Sequence, residues 1–200
     1  ISLFTAPVKK PEAEGEVDVG SFGLRQARAA VGLKPAEGLE MRLSGQAMQI
    51  DGFRPQSEAK KRQLNGRLGW QGGHDSVVVL ANVFSQPAQD PLGLTRAQFD
   101  ADPQQTTPLA TQFDTRKDQS QTQLGATWTH RYDEGAMREA RLMAYAGHRS
   151  VTQYLAITSQ VQTNARHGGG VVDFDRDFMG SEARMRFAWT NLDLQVGLSV

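Results

Sequence analysis

The chain has 200 residues, with 22 basic and 22 acidic side chains that cancel, and no cysteine. That balance offers no basic surface for nucleic acid, and the missing cysteine excludes a disulfide framework, a thiolate metal site and a cysteine nucleophile. The length suits one domain. No run reaches the ~18 apolar residues of a membrane helix, but a membrane β-barrel escapes that test because only alternate residues face lipid.

The chain opens Ile1-Ser2-Leu3-Phe4-Thr5, without an initiator Met or a signal-peptide core, and Val200 falls inside an apolar alternation. The expectation is a piece of a longer chain. Val17 and Val19, then Ala27, Ala29, Val31 and Leu33, give a weak period of two. From Leu39 the period is plain: Leu39, Met41, Leu43, Gly45 and Ala47 alternate with Glu40, Arg42, Ser44 and Gln46. Leu64, Gly66, Leu68 and Trp70 alternate with Gln63, Asn65 and Arg67. The Val77–Leu80 run leaves its facing open. Leu124, Ala126 and Trp128 repeat the alternation, as do Ala183, Met185, Phe187 and Trp189, and finally Leu192, Leu194, Val196, Leu198 and Val200. Successive side chains of an extended strand point to opposite faces, so each segment has one apolar and one polar face. Glu139–Ala146 contains good helix formers but no N-cap, and it reads as a strand like its neighbours.

Connection lengths carry the topology. Lys34–Gly38, Gly72–Asp75, Asp133–Gly135 and Thr190–Asn191 are short, while Asp51–Lys61, Ser85–Gln119 and Thr152–Asp177 are long. In an up-and-down sheet consecutive connections lie on opposite rims, so all the long loops share one rim. Outer-membrane barrels have this asymmetry; a soluble β-sandwich binding module has no reason for it. Trp70, Trp128, Tyr132 and Trp189 precede short turns, as the aromatic girdle of a membrane barrel requires. The fold expected is therefore all-β: an antiparallel up-and-down transmembrane β-barrel, here an incomplete curved sheet of about nine strands. Glu40, Arg42, Gln63, Asn65, Arg67, Gln123, Glu182, Arg184 and Arg186 are expected on its inner face, with cross-strand Glu–Arg pairs among them.

No catalytic constellation emerges, so no enzyme activity and no cofactor are expected. His74, His130, His148 and His167 lack metal-ligand spacing and are read as a turn, two strand ends and a loop. Gly168-Gly169-Gly170 is not a phosphate loop, because no Lys-Ser/Thr follows. Asp173, Asp175 and Asp177 are spaced by two, so a calcium site is the sharper reading of them. A solvated acidic loop is the simpler one, since the Gly turn and distal Glu of a calcium loop are missing.

Several stretches resemble one family. ISLFT looks like the last plug strand of TonB-dependent outer-membrane receptors, and Ala6–Ala13 resembles their plug-to-barrel linker. EGEVDVGSFGLRQARAAVG (14–32) resembles the first barrel hairpin, with Gly20-Ser21-Phe22-Gly23 as its outer loop. QDPLGLTR (89–96) with AQFDADPQQT (97–106) is similar to an outer loop of the siderophore-receptor subgroup, and GGVVDFDRDFMG (169–180) to the start of a later strand there. The resemblance implies residues 1–13 as plug end and linker and 14–200 as partial barrel. It implies import of an iron–siderophore or similar scarce ligand across the Gram-negative outer membrane. TonB would engage a region before Ile1, and outer-membrane lipid would surround the wall; nucleic acid is not a partner. Ligand contacts implied by the resemblance lie in outer loops: Arg96, Phe99, Tyr154, Arg166 and His167. Arg supplies forked donors to anionic chelates and aromatics supply stacking area. The alternative is a small passive porin or structural barrel closed from these strands alone, which the uneven strand count disfavours.

Overall fold

A computed structural model describes residues 7–200; the expected plug strand, ISLFT, lies outside the described residues. Nine strands run β1 (Glu12–Val19), β2 (Arg25–Ala36), β3 (Leu39–Ile50), β4 (Ala59–Gly72), β5 (Asp75–Gln89), β6 (Arg116–Arg131), β7 (Met137–Tyr154), β8 (Val171–Trp189) and β9 (Leu192–Ser199). They form one sheet in sequence order, every neighbouring pair antiparallel. The sheet is open, with β1 and β9 as its two edges, so these strands do not close a barrel by themselves. Glu139–Ala146 lies within β7, as the alternation around it requires. β1 begins at Glu12, inside the stretch read as linker.

The register places the alternating sets on common faces. One row joins Leu39, Trp70, Val77, Trp128, Leu142, Ala183 and Leu198 across seven strands. It settles the ambiguous run in β5: Val77 and Val79 share the apolar face, and Val78 and Leu80 the polar one. In β3 this row is the first residue, whereas in β9 it lies six residues after Leu192. The strand ends therefore slide by about one residue per strand, which at ~3.3 Å rise and ~4.8 Å spacing is a tilt of about 35°. That stagger is the geometry of a barrel wall rather than of a flat ribbon.

No second layer packs on this sheet. Among the described residues the buried hydrophobics are Val8, Ala110 and Val151 only. Leu43, Leu64, Leu124, Leu142, Met185 and Leu198 stand exposed along the apolar face. A soluble sheet must bury such a face against another element, and this continuous surface far exceeds the patches that soluble monomers tolerate. The β-sandwich reading is thereby overturned. No helix among the described residues is long and apolar enough to cross a membrane, so any crossing belongs to the strands.

The opposite face carries the expected polar set in paired form. Arg67 bonds Glu40, and Arg42 reaches both Glu12 and Glu14, the latter at 2.7 Å. Arg28 spans Glu16 at 2.8 Å and Asp18 at 3.0 Å. Arg184 pairs with Glu182 on its own strand at 3.0 Å, and Arg186 with Asp193 at 2.5 Å. The same face holds two aromatic-on-glycine contacts. Phe178 is the register partner of Gly147 and Tyr145 of Gly180. A Cβ on Gly147 would lie 2.4 Å from Phe178 and 2.6 Å from the Thr122 carbonyl. The ring can swing aside and the carbonyl cannot. Gly147→Val should therefore destabilise the β6–β8 part of the wall by about 1–3 kcal/mol. A denaturation midpoint equal to wild type would show that the close packing is not real.

Short turns gather on one rim: Glu37–Gly38, Gly73–His74, residues 132–136 and Thr190–Asn191. Gly38 has φ of 72°, and a Cβ there would meet the Gln71 carbonyl at 2.1 Å, so this tight turn needs glycine. The girdle aromatics sit at this rim. Trp128 donates its indole N–H to Asp75 at 2.9 Å, and Phe187 and Trp189 stack at 5.9 Å. The connections on the other rim are L1 (20–24), as short as the turns opposite, and the longer L2 (51–58), L3 (90–115) and L4 (155–170). L2, L3 and L4 are shorter than the sequence suggested, because β4 to β8 continue several residues beyond their clean apolar alternation. Asp173, Asp175 and Asp177 are accordingly in β8 and not in a loop.

Candidate functional site on the long-loop rim

L3 is an organised loop. It holds helix α1 (Arg96–Ala101) and helix α2 (Pro108–Gln112). At α1, Thr95 accepts from the Gln98 amide while the Gln98 side chain accepts from the Thr95 amide, a reciprocal capping box. At α2, Thr107 is the N-cap and Pro108 takes the first turn, where a missing N–H costs nothing. The T-x-x-Q string was the available signal for α1. The neck of L3 closes on Thr115, whose buried hydroxyl donates to the Asp90 carbonyl at 2.5 Å while the Asp90 amide donates to Thr115 O at 2.8 Å.

L1, L2 and L3 are tied into one unit. The Asp51 amide donates to Phe22 O at 2.9 Å, and the Phe22 and Phe53 rings meet edge to face at 5.2 Å. Arg54 donates to Leu92 O at 2.8 Å, Gln56 to the Asp114 carboxylate at 2.8 Å, and Thr106 to Pro55 O at 2.5 Å. All four non-glycine residues with positive φ among those described, Phe22, Gln56, Leu92 and Asp114, lie in these three loops. Such conformations cost of order 1 kcal/mol each and persist where surrounding contacts hold them, commonly at binding sites.

Two of the five expected contact residues come together here. Arg96 and Phe99 line one cavity of about 540 Å³ with Phe53, Arg54, Leu94, Thr95 and Pro103. Arg96 also bonds Asp100 one helical turn away at 2.9 Å, and its side chain is largely exposed. The sequence reading missed Phe53 and Arg54; their one signal was an aromatic and a basic residue adjoining Gly52 and Pro55 in a polar loop. Tyr154 lies apart from the cavity. It shares a register row with Arg116, whose guanidinium stacks 3.6 Å over its ring, and Arg116 in turn bonds the Asp114 carboxylate at 2.6 Å. Tyr154 thus joins the neck of L3, on the face that is apolar lower in the sheet. Arg166 and His167 are in L4, where the Arg166 amide bonds Asn164 and His167 Nδ1 accepts from the Gly169 amide. The structure does not bring them to the L2–L3 cavity.

The histidines are less scattered than their spacing suggested. His74 and His130 stand 6.1 Å apart at the short-turn rim, beside Asp133 and Asp75 respectively. His148 lies within β7 and meets Asp177 at 2.8 Å and Asp175 at 3.6 Å. Among the described residues, no group of three or more His, Cys, Asp or Glu side chains is arranged to hold a metal ion, the three aspartates included.

No protein-family model matches the sequence. Solved structures do match. Against the ferric citrate transporter FecA in its unliganded form, 98% of this chain superposes with a TM-score of 0.75 at 15% identity, covering 29% of that protein. Against the copper transporter OprC, 97% superposes with a TM-score of 0.64 at 14% identity, covering 28%. The chain spans under a third of either transporter. Identities this low speak for the fold alone, and the fold they share agrees with the family that the sequence resembles. By fold, this chain is an open sheet of nine consecutive antiparallel strands, a partial β-barrel wall like that of these two transporters.

Proposed function

We propose that this chain is part of the barrel of a TonB-energised outer-membrane receptor that takes up an anionic iron chelate of the siderophore or citrate class. The observation that carries this reading is the braced L1–L3 cluster, whose cavity combines two guanidiniums with two phenyl rings. Guanidinium forks suit chelate carboxylates or catecholates, and the rings suit their planar surfaces. No thiol, thioether or imidazole lines the cavity, and bare copper favours those softer ligands. Residues 1–13 then lead out of a plug, the long loops face the cell exterior, and the apolar face meets lipid.

The test uses the full-length protein that contains this chain, with ferric citrate, a ferric tris-catecholate and Cu(II) as probes. Arg96→Ala combined with Phe99→Ala should weaken binding of one ferric chelate about tenfold, the loss typical of removing an interface anchor. Arg138→Ala, at the short-turn rim, should bind as wild type. Uptake should stop in cells lacking TonB. Wild-type affinity in the double variant, or preferential binding of Cu(II), would sink the chelate reading; uptake that persists without TonB would sink the energised one.

A further inference from the structure

Two histidines gather at the short-turn rim. His74 ends the turn between β4 and β5, and His130 is the penultimate residue of β6. The sheet brings them together: His130 is the register partner of Asp75, and the Arg131 amide donates to His74 O at 2.9 Å. The two imidazoles stand 6.1 Å apart between ring centres, inclined at 59°. His130 is flanked by Tyr132, edge to face at 4.5 Å, and by Trp128 at 6.0 Å. It lies two residues beyond Trp128 toward the turn, on the water side of the aromatic rim.

Each ring also faces a carboxylate. His130 Nδ1 meets Asp75 Oδ1 at 2.9 Å, and the same oxygen accepts the Trp128 indole N–H at 2.9 Å. An ionised carboxylate only accepts, so Nδ1 carries the proton and the neutral ring presents its Nε2 lone pair. His74 Nε2 faces Asp133 Oδ2 at 3.4 Å, which leaves Nδ1 as its free nitrogen. Histidines that ligate metals are commonly oriented in this way, with the second ring nitrogen turned to a carboxylate. Metal–nitrogen bonds of about 2.0–2.1 Å put a ring centre ~3.2 Å from the ion, so two rings on a tetrahedral ion stand ~5 Å apart. His74 would close that gap by moving about 1 Å, and its side chain is half-exposed.

We infer that His74 and His130 jointly bind one divalent transition-metal ion of the zinc or copper class, with Asp75 and Asp133 in its outer shell. Imidazole is a ligand that these ions favour. Two protein ligands leave the remaining positions to water, which agrees with the lack of a cluster of three or more protein ligands among the described residues. The two carboxylates offset the charge of the ion. Bound there, it ties the β4–β5 turn to the end of β6. The inference stands on the geometry of this rim and needs neither the chelate reading nor TonB.

The test titrates Zn(II) into the full-length protein in detergent micelles, followed by calorimetry. One binding event should vanish in His74→Gln and equally in His130→Gln. The double variant should lose that same event and no other, because both rings serve one ion. Asp75→Ala, which unties His130 without removing a ligand, should weaken the event about tenfold. His148→Gln, between β7 and β8, should titrate as wild type. With Cu(II) as a second probe, the electron paramagnetic resonance spectrum should show coupling to two imidazole nitrogens, lost in either single variant. The substitutions fall at the exposed rim, so each variant should keep the heat-modifiable migration of a folded barrel. Arg96→Ala with Phe99→Ala should leave the event intact, which separates this ion from any cargo at the long-loop rim. Titrations unchanged in both single variants would overturn the site. Loss of two separate events in the double variant would overturn the shared ion, each histidine then binding its own.

Discussion

Leu142→Arg should prevent or severely weaken folding into lipid, at a cost of about 2–4 kcal/mol, whereas Gln123→Arg should be nearly silent. Leu142 lies five residues above the start of β7, near the middle of a ten-residue crossing, on the row of Val77, Trp128 and Ala183. A guanidinium there has no partner and no water. Gln123 is on the opposite face, between Asn82 and Gly147 in register, where amides and guanidiniums already stand together. The measurement is the fraction of full-length protein that folds into phospholipid vesicles, followed over a urea series. Equal effects of the two substitutions would mean that neither face meets lipid. The comparison tests facing directly, because both substitutions add the same side chain, one to the exposed Leu142 position and one to the half-buried Gln123 position on the opposite face.

Arg67→Met should release the segment that leads into β1. Val8 is only 3% exposed, and a Cβ on Gly32 would touch it at 3.1 Å, so Val8 packs where β2 has no side chain. The Val8 amide donates to the Glu40 carboxylate at 2.6 Å, and Glu40 also bonds Arg67. The Glu40 and Arg67 side chains are 15% and 11% exposed and lie across Gly69. Removing Arg67 strands a mostly covered carboxylate, which costs about 2 kcal/mol for a charged hydrogen bond. Arg67 Nε lacks a partner among the described residues, which holds the value at that modest level. Two kcal/mol raises the open population roughly 30-fold, and proteolysis follows that population when opening is fast. Trypsin should then cut after Lys9 roughly 30 times faster than in wild type. Glu40→Leu together with Arg67→Met should recover part of the protection, because a charge is no longer left alone. An unchanged cleavage rate in Arg67→Met would show that this latch does not hold the segment.

Much of the wall was legible in the alternation. The polar residues expected on one face are there, and the cross-strand Glu–Arg pairing foreseen for them is realised by Glu40 with Arg67, whereas Glu182 pairs with Arg184 along its own strand. The aromatics before the short turns occupy the rim as anticipated. Strand ends toward the long loops were less legible. Ser85–Gln89 and Arg116–Gln119 belong to β5 and β6, yet apart from Pro87 and Ala88 they are polar on both faces. A period of two cannot be read where neither face is apolar. The Asp173–Asp177 stretch looked like a loop because the face that continues the apolar row of β8 carries only carboxylates there.

The site divided along a similar line. Arg96 and Phe99 could be named from the sequence as loop candidates, but their union with Phe53 and Arg54 depends on L2 and L3 folding together across more than forty residues of chain. No local spacing encodes that contact.

What the sequence determined by itself was the periodic content: which segments are strands, which of their faces is apolar, and that long connections share one rim. These are local properties, set by the two-residue repeat of an extended backbone and by turn length. Register, stagger and the loop assembly were decided only in the tertiary structure. Each depends on which residues of separate strands lie side by side, and shifting a strand by two residues would leave its facing unchanged while moving every cross-strand partner. That is why the Val8 latch and the L2–L3 cavity emerged from the three-dimensional arrangement, although every residue in them was visible in the chain.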